Sequence, residues 1–332
     1  MYTNLLILGN GFDLDAGYKT RYSDFVNSRF WPFKEKDLVN IGIPNLRNFI
    51  DEYTEKHKDS LNKVLWIDIE SMLREYALSK EEQSNFNEEI VSHDEETYAK
   101  LCSSFADYLR YELRDGTNNL NSLKASVRVI KAIANSTRKW IGYSFNYTDS
   151  ANIVDFISRF GESEPLNIPF THLHGRIQMH SGEDTLILGI DDVKIPSEYK
   201  FMRKSWNPNF ASHRLNDDLI ESDMVICFGL SLGTMDRDYF SDYFKSLIND
   251  YKPGDKKKEF NFITYDEASR ISIMDNLEEI GAPMASLKKV MDINFYRTGM
   301  YGHSMEEMDR FNSLIKRLES QKLQQYKINK TN

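Results

Sequence analysis

Leu5-Leu6-Ile7-Leu8-Gly9-Asn10-Gly11-Phe12-Asp13 is the stretch whose reading decides the fold. Four consecutive apolar residues suit a strand covered on both faces, because side chains alternate between the two sides of a buried parallel sheet. Gly-x-Gly directly afterwards lets the backbone turn sharply and come close to a neighbour or a bound group. The stretch therefore predicts the first strand and ligand loop of an α/β domain. The third glycine of the dinucleotide fingerprint is missing, since Ala16 and Gly17 come too late for Gly-x-Gly-x-x-Gly. A nucleotide loop and a plain tight turn both stay open at this point.

Downstream, Thr20 to Phe25 reads as a helix start with Ser23 as a cap, and the first strand-loop-helix unit closes near Trp31-Pro32. From residue 34 to 138 no strand pattern is found. Leu61, Val64, Leu65, Ile69, Met72, Leu73 and Tyr76 recur at helical spacing, as do Tyr98, Leu101, Phe105, Tyr108 and Leu109. The expected organisation is a doubly wound, mainly parallel Rossmann-like core of residues 1–33 and 139–332 with a helical insert at 34–138. The alternating pattern resumes with strands expected at Trp140–Phe145, Ile168–His174, Asp184–Asp191, Met224–Gly229, Phe260–Tyr265 and Val290–Phe295, and a final helix from Ser304 that loosens after Gln321.

Composition narrows the class. The chain has 332 residues, 40% hydrophobic and 28% charged, with a net charge of -9, which disfavours broad contact with nucleic acid or anionic membrane. Cys102 and Cys227 are the only cysteines, too few for a disulfide framework or a four-cysteine zinc site. A reducing, cytoplasmic setting is expected. No apolar run reaches the roughly 18 residues of a membrane span, so no membrane partner is expected.

Three loops follow three candidate parallel strands and emerge at one sheet edge: Gly9 to Asp13, Asn146 to Asp149, and Gly229 to Asp236. That edge is where open α/β sheets bind ligands. With His174 they can enclose a nucleotide, the first loop's N–H groups meeting phosphates and Ser231 and Thr234 meeting ribose hydroxyls. Asn146 and His174 suit cleavage of a glycosidic bond, the Asn orienting water or ribose and a neutral His removing a proton, for about 10² to 10⁴ in rate. Competing roles are plain: Asn146 as a cap near Asp149, His174 as a strand histidine bonded to backbone, and Ser231 and Asp236 as helix starters. Trp66-Ile67-Asp68-Ile69-Glu70 sets two carboxylates two residues apart, pointing different ways on a helix. They form either a solvated acidic patch or, with one carboxylate, a cover over the glycine loop.

Gly9-Asn10-Gly11-Phe12-Asp13, Trp66 to Glu70, Phe145-Asn146-Tyr147-Thr148, His172-Leu173-His174-Gly175, Leu188-Gly189-Ile190-Asp191 and Phe228 to Gly233 with Asp236 together resemble the AbiH family of bacteriophage abortive-infection proteins. That family is distantly similar to the sirtuin-like superfamily, whose Gly-Ala-Gly loop, catalytic Asn, His-Gly and Gly-Thr-Ser loop resemble Gly9-Asn10-Gly11, Asn146, His174-Gly175 and Gly229-Leu230-Ser231. The resemblance implies NAD as ligand or substrate, held by Gly9, Asn10, Gly11, Phe12, Asp13, Asp149, Gly229, Ser231, Leu232 and Asp236, and hydrolysed with Asn146 and His174 as catalytic residues. It also implies a phage-derived trigger and a homo-oligomer. Asp13 replaces the Ser common after the sirtuin loop and would repel a pyrophosphate unless it caps the helix or meets ribose. The zinc cysteines of deacetylating sirtuins are absent, against peptide deacetylation, and no metal is expected. Two rival classes are a metal-dependent nuclease of RNA or DNA built on Asp13, Asp68, Glu70 and His174, and a non-catalytic nucleotide sensor.

Overall fold

The computed structural model describes residues 3–35, 44–58, 68–81, 86–115, 120–160, 166–178, 184–190, 195–210, 213–300 and 304–328. In chain order the elements are β1 (Thr3–Leu8), α1 (Asn10–Ala16), α2 (Tyr22–Val26), α3 (Leu46–Lys58), α4 (Ile69–Leu78), α5 (Glu88–Asp115) and α6 (Ala125–Ala134). Then come β2 (Lys139–Ser144), α7 (Ser150–Phe160), β3 (Phe170–His172), α8 (Leu215–Glu221), β4 (Met224–Phe228) and α9 (Asp238–Asp250). The chain finishes with β5 (Lys258–Thr264), α10 (Glu267–Glu279), α11 (Met284–Val290), β6 (Met291–Arg297) and α12 (Met305–Ile328). Two compact units result: residues 1–18, 116–173 and 212–332, and residues 19–115 and 174–211.

The first unit is built on six parallel strands in the order β3-β2-β1-β4-β5-β6, the doubly wound arrangement expected of a Rossmann-like α/β protein. β1 lies between β2 and β4, with Leu5 opposite Ile141 and Val225. Leu5 to Leu8 are fully buried, and so are all five residues of β4, because helices cover both faces and leave no polar side for alternation to mark. Leu5, Ile7, Val225, Cys227, Phe260 and Phe262 form one face with apolar residues of α8, α9, α10 and α11. α1, α6, α7 and α12 pack among themselves on the same unit.

Among the described residues the regular elements of the second unit are α-helices and two short 3-10 turns at Ser197–Met202 and Lys204–Trp206. Phe25 meets the rings of Trp31, Phe105 and Tyr108 at 5.1–5.5 Å. Asp94 is fully buried and accepts from Leu46 N–H (2.6 Å), Tyr76 OH (2.5 Å) and Tyr199 OH (3.0 Å), so one carboxylate ties α3, α4 and the first 3-10 turn to α5. Three donors replace the water that burial removes.

Several expectations differ from the structure. Asp184–Ile190 forms no sheet strand: Thr185 N–H donates to Arg176 O, Ile187 N–H to His174 O, and Ile190 makes an isolated bridge with Arg203. Those bonds replace a ladder; Asp191 lies outside the described residues. β3 stops at His172, so Leu173 and His174 sit in the following turn rather than on the strand with Phe170. Between 34 and 138 every regular element among the described residues is a helix, but the compact second unit takes residues 19–115 and 174–211, and α6 packs with the first. The helical spacing expected of Leu61, Val64 and Leu65, and Trp66-Ile67, lie outside the described residues. α12 has its bounds at Met305 and Ile328. Among the described residues no helix is long and apolar enough to cross a membrane.

Candidate functional site

The ends of β1, β2 and β4 converge because their loops bond to one another. Gly9 N–H donates to Phe228 O and Gly11 N–H to Gly229 O, each at 2.9 Å. A Cβ on Gly11 would lie 2.6 Å from Gly229 Cα, and one on Gly229, at φ +70°, would lie 2.4 Å from Gly11 Cα. Only glycine on both sides permits that approach. The expected phosphate cradle needs N–H groups aimed outward, yet Gly9 and Gly11 direct theirs at the β4 loop, and Phe12 N–H returns to Gly9 O at 2.9 Å. The ring of Phe12 is buried edge-on against Phe228.

Asp13, on the first turn of α1, is fully buried, so it stands in the interior rather than beside a pyrophosphate. It accepts from Asn146 Nδ2 at 2.8 Å and Thr148 Oγ1 at 2.6 Å, fastening the β2 loop to α1. Burial pushes its carboxyl up to about 7, against the pull of the bonds from Thr148 and Asn146. Nearby, burial and then the Asp13 charge push the Tyr18 phenol up to about 12.

Asn146 itself is 4% exposed. Its N–H donates to Ser144 Oγ (3.1 Å), and its Nδ2 is turned to Asp13, which leaves Oδ1 buried with no hydrogen-bond partner among the described residues. Asp149 accepts from Asn152 N–H (3.3 Å) and Nδ2 (2.7 Å), so it is a cap of α7. His172 Nε2 accepts from Ser150 N–H at 3.2 Å at the same helix start. In the third loop Ser231 is exposed and its carbonyl accepts from Asn276 Nδ2 at 2.9 Å. Leu232 adopts φ +54°, uncommon for a residue with a Cβ, and is fully buried in the core, where it anchors the loop. Asp236 is half-buried, its N–H bonded to Gly233 O.

His174 belongs to the second unit. It is 3% exposed, and its Nε2 lies 3.2 Å from Lys204 Nζ, which is 3.0 Å from Glu70 Oε1. Lys204 is 1% exposed and Glu70 6%, so this is a buried triad and Glu70 is no solvated patch. An ammonium can only donate, so Nε2 accepts and a neutral His174 carries its proton on Nδ1. Gly175 follows at φ +66°, where a Cβ would meet Thr185 O at 1.6 Å. Asp68 caps α4 by accepting from Glu70 N–H, Ser71 N–H and Ser71 Oγ. The four groups of a nuclease centre are thus divided between the two units, and among the described residues no three His, Cys, Asp or Glu are placed to hold a metal.

Sequence reasoning missed Lys204 and Asp94. Thr148 stood in a quoted motif without a role; Lys204, between Met202 and Trp206, carries no signal in the chain.

A parallel sheet of doubly wound order, with three interlocked loops at the carboxyl ends of β1, β2 and β4, defines a Rossmann-like α/β protein. The chain belongs to the family described as Bacteriophage abortive infection AbiH, which matches residues 5–252. Its role is therefore in abortive infection by phage. No curated protein and no solved structure matches.

Proposed function

We propose that the abortive-infection role runs through a nucleotide held at the carboxyl edge of the first unit, with NAD as substrate and its nicotinamide–ribose bond as the bond cleaved. One observation carries the reading: Asn146 Oδ1 is a buried acceptor without a partner among the described residues, at the end of β2 next to the central strand. An unmet buried acceptor costs about 1 to 3 kcal/mol, and a ribose hydroxyl or a water would meet it. Asp13 supports this by taking Nδ2, which leaves the amide oxygen as the group to be used. Strand order adds support, since the direction of winding changes between β1 and β4, the switch point at which such sheets bind ligands.

In the reaction water attacks the ribose carbon, nicotinamide leaves as a neutral molecule, and a proton is released with ADP-ribose. A neutral leaving group needs no general acid. Asn146 orients the water or the ribose. His174 does not carry the proposal, because its Nε2 lone pair already faces Lys204. Recognition falls to side chains of the loops, Ser231 and Asp236 among them, rather than to the amides of Gly9, Gly11 and Phe12.

The test is NAD consumption by the purified chain, with and without phage lysate as a source of trigger, read as nicotinamide release. Wild type should release nicotinamide, and Asn146→Ala should lower the rate by about 10² or more. NAD that stays intact and unbound under every condition refutes the reading. NAD bound but not consumed removes the reaction and leaves a sensor; metal-dependent cleavage of RNA or DNA in the same samples would favour the nuclease.

A further inference from the structure

The family match ends at residue 252, and the chain beyond it contributes β5, α10, α11, β6 and α12. Of these, α10, α11, β6 and α12 line a cavity of about 210 Å³ that the strand-end reading does not use. Ile293, Phe295 and Arg297 alternate along β6 and so share one face of that strand. Met284 of α11 joins Phe295 on the apolar side. Arg270 of α10, Lys288 of α11, Arg297 of β6 and Arg310 of α12 supply four cations to the same cavity.

Two carboxylates answer them. Glu267 accepts from Arg270 Nε (3.0 and 2.9 Å) and from Arg297 (2.6 Å). Glu307, 5% exposed, accepts from Arg297 (2.6 Å) and Arg310 (3.2 Å). Four cations against two carboxylates leave an excess of two positive charges in a chain whose net charge is -9. The shared carboxylates hold the guanidinium groups side by side, an arrangement suited to the paired oxygens of a phosphoryl group. An apolar cavity of about 150 Å³ admits benzene, so this one has room for a ring-sized apolar portion and a charged head.

We propose that this cavity is a binding site for a small phosphate monoester, its dianionic head among Arg270, Arg297, Arg310 and Lys288 and its apolar portion against Met284 and Phe295. The charge excess matches a dianion, and the mixed lining matches a molecule with one charged and one apolar end.

Calorimetric titration of the full chain with phenyl phosphate tests this, with inorganic phosphate and phenol as the two halves of the ligand. Phenyl phosphate should bind about tenfold more tightly than either half. Lys288→Glu, an exposed position, and Arg270→Gln should each weaken it about tenfold or more while the melting temperature stays within a few degrees of wild type. Lys256→Glu, whose ammonium pairs with Asp223, serves as the charge-change control and should bind as wild type does. Absence of phenyl phosphate binding at about 10 mM overturns the proposal, as does binding that Lys288→Glu and Arg270→Gln leave intact. Inorganic phosphate binding as tightly as phenyl phosphate would remove the apolar half and overturn the monoester assignment.

Discussion

Asp13 should make the first unit less stable as pH rises, the opposite of an ordinary ion-paired carboxylate. In the native protein its proton is held until about pH 7, whereas in the unfolded chain it leaves near the ordinary 3.8. Between those values the native state binds one more proton, so the contribution is fully present below about pH 4 and is lost as pH rises to about 7. Each pH unit in that window removes about 1.4 kcal/mol, about 4 kcal/mol in all. Asp13→Asn removes the titration but keeps the shape: its amide oxygen can still accept from Asn146, and the Thr148 hydroxyl can turn to accept from the new NH₂. Urea unfolding of both proteins, followed by circular dichroism across the window, isolates the group because every other titration cancels in the difference. The variant should gain about 3 kcal/mol relative to wild type between about pH 4.5 and about pH 7.5. A difference that stays flat across that range refutes the assignment of Asp13 as a buried, proton-holding carboxyl.

Gly229→Ala combines a left-handed backbone with a Cβ 2.4 Å from Gly11 Cα, and should destabilise the first unit by about 3 kcal/mol or more, seen as a lowered melting temperature. Asp94→Ala strands Leu46 N–H, Tyr76 OH and Tyr199 OH together; a loss of about 3 kcal/mol or more is expected, with faster proteolysis confined to the second unit. Lys204→Met removes the buried Lys204–Glu70 ion pair, for about 3 to 5 kcal/mol, and the double variant with Glu70→Leu should recover a large part of that in urea unfolding.

The sheet was legible because its central strands are apolar runs with turn residues after them. Leu5–Leu8 and Met224–Phe228 have no polar face to alternate with, and both precede glycines that the structure uses. Thr185–Ile190 has the same apolar look and is no strand, since its N–H groups turn to the carbonyls of Arg176, His174 and Met202. A run of apolar residues says that a segment is buried, not which backbone it bonds. The three loops at the strand ends could be read for the same reason as the strands. Their connections could not: Asp13 and Asn146 are 133 positions apart, and the aspartate expected near a phosphate instead fastens that asparagine. Lys204 shows the harder limit, because a lysine's ordinary place is the surface and only the fold brings Glu70 and His174 to it.

The place of β1 in the sheet also shapes how the molecule is made. Its two neighbours come late in the chain, since Thr3 waits for Lys139 and Asn4 for Met224. A ribosome adding about 5 to 20 residues per second leaves Leu5–Leu8 without either neighbour for roughly 10 to 30 s. The fully buried run Leu5–Leu8 is therefore the longest to stay bare on the nascent chain, and any factor that shields emerging segments has its first customer there. Yield in cells should accordingly respond to the speed of synthesis and to chaperone supply well before it responds to the stability of the finished sheet.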